Sequence, residues 1–208
     1  MGKLKNYTEN EAIKILYNSA QAYQKYLVDK SFLIIYKKEN TYYHTSVSFN
    51  KQNFRHLSGI ITDYHAGNFY KLCMDKRLPP SSISFKRDGN TNRKLMILPA
   101  MTEMFCHKCW IGTTIHNDIS IESDYFVGDT RCVLSVGFRY GENNTDYPVT
   151  LLYRSLRESV ETPYKVYAIL VKNRGGKLYK SDINYYIDAD FNIVECRNQD
   201  FYQLINGF

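Results

Sequence analysis

The sequence predicts an α+β fold in which N-terminal helices pack on a multi-stranded, mainly antiparallel sheet. Three observations predict it. Apolar residues recur at helical spacing through much of the first hundred positions. From Trp110 onward, runs rich in Val, Ile, Tyr and Phe alternate with turn residues. Helices come first and strands follow, which separates the two classes instead of interleaving them as a parallel α/β fold would. The 208 residues show no repeat and no linker, and they suffice to bury a core without disulfide staples. One domain over 1–208 is the simplest organisation, with a helix over 1–28, a core over 29–172 and a C-terminal hairpin extension over 173–208.

The elements follow in order. Thr8-Glu9-Asn10-Glu11 has the form of a capping box. Ile13, Leu16, Tyr17, Ala20, Tyr23 and Leu27 then mark the buried face of a helix over about 9–28. Ser31–Tyr36 is a short β-rich run, and Thr41–Phe49 alternates. With Lys37–Asn40 as the polar turn, the two form a hairpin. Thr62 or Asp63 is placed to cap a helix carrying Ala66, Phe69, Tyr70 and Cys73. Pro79-Pro80 ends it, and Ser81–Asn90 reads as a basic loop with Lys86 and Arg87. A further helix starts near Thr91, where the ring of Pro99 should kink or split it. Strands are expected over 110–115, 119–126, 131–140, 148–154, 164–172, 178–187 and 191–196. Turns fall at Gly141–Asn144 and Asn173–Gly176.

Composition narrows the function classes. Charged residues at 23% and hydrophobic ones at 44% exclude wholesale disorder. The formal charge of +6 is uneven: residues 1–104 carry 16 Lys and Arg against 8 Asp and Glu, and residues 105–208 carry 11 against 13. A basic first half suggests a polyanionic partner, or simply a solvated lysine-rich surface. Nineteen tyrosines suit half-buried sheets and base-stacking surfaces equally. The start lacks the pattern of a secretory signal, no apolar run reaches membrane-spanning length, and the five cysteines are irregularly spaced. The expectation is a cytoplasmic protein with free thiols and no membrane association.

Several constellations can carry chemistry. Asn53-Phe54-Arg55-His56-Leu57-Ser58-Gly59 places a proton-exchanging imidazole beside a guanidinium at a strand-to-helix corner. The alternative is a structural His bonded to a backbone carbonyl with Arg55 in solvent. Arg93-Lys94 falls near a helix N-terminus, next to Lys86 and Arg87, where backbone N–H groups already favour anions. Pro148–Ser155 puts Thr150, Leu152 and Arg154 on one strand face and Val149, Leu151 and Tyr153 on the other. A polar strand face of this kind can floor a phosphate site or merely meet solvent. Cys106-His107-Lys108-Cys109 has the spacing of half a zinc site, with no second Cys pair and only His116 and His65 as further ligands nearby in sequence. Half-buried thiols are the simpler reading, and no metal or other cofactor is expected. Walker, GxGxxG, HExxH and GxSxG motifs are absent.

In the order of these words, and in Phe32–Tyr36, Phe69-Tyr70, Lys94-Leu95, Ile111-Gly112 and Pro148–Leu152, the chain resembles the phage nuclease-like domains grouped as Barnase–EndoU–colicin–RelE-like. The resemblance covers roughly 28–172 and implies a barnase/RelE-like core with extra strands. It further implies a metal-independent endoribonuclease of a phage or mobile element, in which the RNA 2′-OH attacks the adjacent phosphate and leaves a 2′,3′-cyclic end. His56 would then be the general acid or base, Arg55 and Lys94 would stabilise the phosphorane, and Thr150 would bond the phosphate. Lys86, Arg87, Arg93, Arg154, Tyr43 and Tyr153 would contact the nucleic acid, with an antitoxin or host protein as a further partner. The alternative is a non-catalytic module of the same origin that binds nucleic acid or inhibits a protein.

Overall fold

The computed structural model describes residues 5–115, 122–129 and 133–205. Helix α1 (Glu9–Tyr26) opens on the capping box: the Thr8 hydroxyl accepts from Glu11 N–H at 3.3 Å and the Glu11 carboxylate accepts from Thr8 N–H at 2.9 Å. Its buried face is Ala12, Ile13, Leu16, Ala20 and Tyr23. Strands β1 (Lys30–Lys38) and β2 (Thr41–Ser48) pair from Ser31↔Ser48 to Lys38↔Thr41, so the hairpin turn shrinks to Glu39-Asn40.

Three helices follow: α2 (Asn53–Ser58), α3 (Ala66–Met74) and α4 (Asn90–Thr102). The cap of α3 is His65, not Thr62 or Asp63. Between α3 and α4, a 3₁₀ turn over Pro80–Ser82 and a bridge Ile61↔Ser84 tie down part of the basic loop. Pro99 lies within α4 without splitting it, and the Thr102 hydroxyl donates to the Pro99 carbonyl at 2.7 Å.

The remaining strands are β3 (Trp110–Thr113), β4 (Tyr125–Gly128), β5 (Ser135–Arg139), β6 (Tyr147–Leu152) and β7 (Tyr164–Asn173). The expected strands 119–126 and 131–140 fall partly outside the described residues, and the strands seen there begin at Tyr125 and Ser135. All seven form one sheet of order β2-β1-β7-β3-β4-β5-β6, with every neighbouring pair antiparallel. The fold is therefore α+β, with the helices on an antiparallel sheet. The sheet curls until its two ends meet: Asp146 N–H donates to Ser46 O at 2.7 Å and Ser48 N–H to Asp146 O at 2.9 Å. Phe32, Phe49, Phe54, Phe105 and Phe138 fill the main core between the helices and this sheet.

The strands expected over 178–187 and 191–196 do not form. The segment's backbone pairs with β7 only through the isolated bridges Val171↔Lys180 and Ala168↔Ile187, and 3₁₀ turns over Ile193–Cys196 and Asp200–Leu204 follow. Side chains interrupt the extended backbone: Asp182 accepts from Asn184 N–H at 2.9 Å and Asp188 from Asp190 N–H at 3.1 Å. Such local side-chain bonds compete with a ladder. The segment instead covers the second face of β1 and β7, closing a small core of Leu33, Ile35, Leu170, Tyr179 and Phe201.

Candidate functional site

Strand β6 is an edge of the sheet, and the main cleft is built along it. The register with β5 slips between Gly137 and Phe138: Phe138 faces Pro148 while Gly137 faces Thr150, leaving Val149 as an extra residue. A bulge of this kind bends the strand and re-aims its side chains. It breaks the alternation expected over 148–155 at Val149, while Leu151 and Tyr153 still pack towards one core and Leu152 towards another. Val149, Thr150, Leu152, Tyr153 and Arg154 all line a cleft of about 860 Å³. Leu151 is buried in the main core, Tyr153 also packs against that core, and Leu152 packs on the separate cluster of Phe126, Leu156 and Val160. Gly137 makes room for this floor, because a Cβ there would lie 2.8 Å from Thr150 Cγ2.

The opposite wall comes from α2 and the start of α4. Helix α2 buries Phe54 and Leu57, so at 3.6 residues per turn His56 falls on its exposed side. There the backbone of Val149 faces the imidazole and favours its charged form, and Asn53 Nδ2 donates to Pro148 O at 3.5 Å. Burial of the ring depresses the His56 pKa, the charges of Lys94 and Lys86 depress it further, and the Val149 backbone opposes them only in part. The ring is therefore neutral at neutral pH.

Lys94 explains much of that field. Helix α2 ends on Gly59 in the left-handed region at φ 69°. The Lys94 ammonium donates to the His56 carbonyl at 3.2 Å, in the last turn of α2, where a cation complements the helix C-terminus. Only 5% of Lys94 is exposed. Burial, followed by Lys86, brings its pKa down to about 8, and Asp88 opposes the shift. The junction is tightened by Thr91, whose hydroxyl donates to Gly59 O at 2.7 Å and accepts from Lys86 N–H at 3.0 Å.

The structure thus brings His56, Arg93, Thr150, Tyr153 and Arg154 to one cleft. Lys94 sits a layer beneath it, and Lys86 acts on both Lys94 and His56 through its charge. Arg55 is turned elsewhere, its guanidinium donating to Tyr64 O at 2.8 Å. Arg87 is exposed and does not line the cleft, and Tyr43 stacks on Tyr36 at 6.0 Å at the other end of the sheet. Sequence reasoning did not single out Asn90, Arg139, Tyr147 or Asn53 as contact residues. Arg139 projects into the cleft wall with a 2.9 Å ion pair to Glu122. Only Asn53 carried a signal, as the first residue of the segment containing His56.

At the Cys106–Cys109 segment, burial holds the Cys109 thiol well above its usual range and raises that of Cys106. A thiol held protonated is a weak nucleophile and a poor metal ligand. Among the described residues no three His, Cys, Asp or Glu side chains gather as a metal-holding group. His116 and Cys132 lie outside the described residues. No helix among those residues is long and apolar enough to cross a membrane.

Compared with known families, the model described as phage-Barnase-EndoU-ColicinE5/D-RelE like nuclease4 matches residues 15–188. No curated protein and no solved structure matches the chain.

Proposed function

The chain belongs to the phage-Barnase-EndoU-ColicinE5/D-RelE like nuclease family, and from that premise we propose that it is a metal-independent endoribonuclease whose catalytic centre is the β6 cleft. Membership makes nucleic acid the substrate. The observation that carries the finer reading is His56: an imidazole in a cleft lined also by Arg93, Arg139 and Arg154, facing the β6 edge and kept neutral by its surroundings. A neutral imidazole can take the proton of an RNA 2′-OH as that oxygen attacks the adjacent phosphorus.

In this reading the Thr150 hydroxyl and the Arg93 and Arg154 guanidinia bond the non-bridging phosphate oxygens, where charge accumulates in the transition state. The bond from phosphorus to the 5′-oxygen breaks, and that oxygen takes a proton from Tyr153, on the same wall. The products are a 2′,3′-cyclic phosphate and a free 5′-hydroxyl. Lys94 is a positioning residue, since it meets the backbone of His56 from below. The family's phage label supports an origin in a phage or mobile element.

The test is cleavage of single-stranded RNA by purified protein in EDTA. Wild type should cut and yield cyclic-phosphate ends, and His56→Ala should lose about 10²–10⁴-fold in rate. Equal cleavage by His56→Ala, or loss of all cleavage on chelation, would overturn the proposal.

A further inference from the structure

Three concavities of the surface share walls. Asn53 and Tyr147 line both the His56 cleft and a neighbouring hollow of about 570 Å³. Tyr140 lines that hollow and a third, smaller cavity of about 180 Å³ at the open end of the curled sheet. The three adjoin as one track, along which two large rings stand in water: Tyr147 is 38% exposed and Tyr140 67%. Exposed aromatics aligned in a groove are unusual on a surface that has no use for them.

The third cavity is rigidly built. Tyr125 forms its floor, fixed by a 2.7 Å bond to Asp146 and by stacking on Phe138 at 5.4 Å and 11°. Tyr36 and Tyr164 flank it, with ring centroids 6.3 Å apart. The Lys38 ammonium hangs 5.9, 5.4 and 5.0 Å from the rings of Tyr36, Tyr43 and Tyr164. The space is smaller than the roughly 300–1,000 Å³ of a typical ligand pocket. It suits one planar ring with a negative group beside Lys38. Glu142, on the wall of the middle hollow, repels phosphates, so a strand crossing there turns its bases inward and its backbone outward.

We propose that this track binds unpaired nucleotides next to the scissile phosphate, stacking one base on Tyr140 and seating another against the ring pair of Tyr36 and Tyr164 beside Lys38. The proposal rests on the nuclease reading of the His56 cleft and specifies its substrate as single-stranded RNA extending several nucleotides to one side. A duplex cannot serve, because its bases already stack on one another.

The experiment measures binding by fluorescence anisotropy with a labelled 2′-O-methyl octanucleotide, which cannot undergo 2′-OH attack. A matching dinucleotide and a duplex octamer serve as comparisons. Tyr140→Ala should weaken octanucleotide binding roughly tenfold, and Lys38→Gln several-fold, as expected for loss of a base stack and of its neighbouring cation. Dinucleotide binding should stay unchanged. Tyr140 is mostly in solvent, so an unchanged melting curve will show that its variant is folded. Unaltered octanucleotide affinity in both variants, absence of binding by wild type, or equal affinity for the duplex would overturn the proposal. Cleavage of unmodified RNA is scored in parallel. Tyrosine-dependent binding without cleavage defeats the nuclease reading alone, and cleavage with tyrosine-independent binding defeats the track alone.

Discussion

The imidazole of His56 sits between a carbonyl that favours its protonated form and two ammonium groups that disfavour it, with burial on their side. The balance has a measurable sign. Its protons should titrate by NMR with a midpoint below 6.5, the ordinary value. Lys94→Met removes one opposing cation, so the midpoint should rise, and a midpoint that stays put would remove Lys94 from the account. In cleavage assays kcat/KM should climb as pH rises through the depressed pKa of His56, with that limb moved to higher pH in Lys94→Met. Lys94 has its own linkage. Its folded pKa of about 8 lies below the ordinary lysine value of 10.5, so the unfolded chain binds more protons across that window. Stability should therefore increase as pH rises from about 8 to 10.5 and lose that slope in Lys94→Met. The sequence pointed to the Arg55-His56 word, and the imidazole does lie in the cleft. Adjacent residues on a helix do not face the same way, and Arg55 accordingly reaches Tyr64 O instead.

At the scale of elements, the site depends on the joint between α2 and α4. Gly59 ends α2 at a positive φ, and a Cβ there would lie 2.7 Å from Lys94 Cδ. Gly59→Ala should cost about 1–2 kcal/mol from backbone strain alone. It should also push the Lys94 stem off the His56 carbonyl, so the acid limb of the pH profile moves as it does in Lys94→Met. Denaturant midpoints and the profile together check this. Thr8→Ala is the contrasting case. It removes the capping box of α1, far from the cleft along the chain, and should cost about 1 kcal/mol with the pH profile unchanged. Helix α1 and the β1–β2 hairpin were legible because each is specified within a few residues, by a cap, a period or a turn. The β6 bulge was not, because its extra residue is defined only against the register of β5. The strands expected over 178–187 and 191–196 misled for a related reason. Their apolar residues are real, but they pack as single contacts on the second face of the sheet, and Asp182 and Asp188 draw the backbone into turns.

For the whole molecule, the decisive feature is the closure of the sheet, which pairs residues about a hundred positions apart and leaves no mark in local periodicity. Asp146 is the bolt. Its backbone bridges Ser46 and Ser48, and its carboxylate accepts from Thr45 at 2.6 Å, Tyr125 at 2.7 Å and Gly141 N–H at 3.2 Å, with only 5% of the residue exposed. Because β6 carries one wall of the cleft and Tyr125 floors the tyrosine pocket, the same contact sets the geometry at both ends of the proposed RNA track. Asp146→Asn keeps the shape but removes the charge, and whichever way the amide turns, its NH₂ meets a group that previously donated to the carboxylate. Hydrogen bonds to a buried charge are worth about 1.5–3 kcal/mol each, so the denaturant midpoint should fall by an amount in that range or above. The loss should be local before it is global. Amide exchange should accelerate first at Asp146 and Ser48, whose N–H groups donate the two closing bonds, while the α1 amides keep their protection. Uniform acceleration across the chain would mean that the closure is merely part of the core, and an unchanged midpoint would mean that it holds nothing. Local opening with weakened octanucleotide binding would tie the shape of the sheet directly to the grip on the substrate.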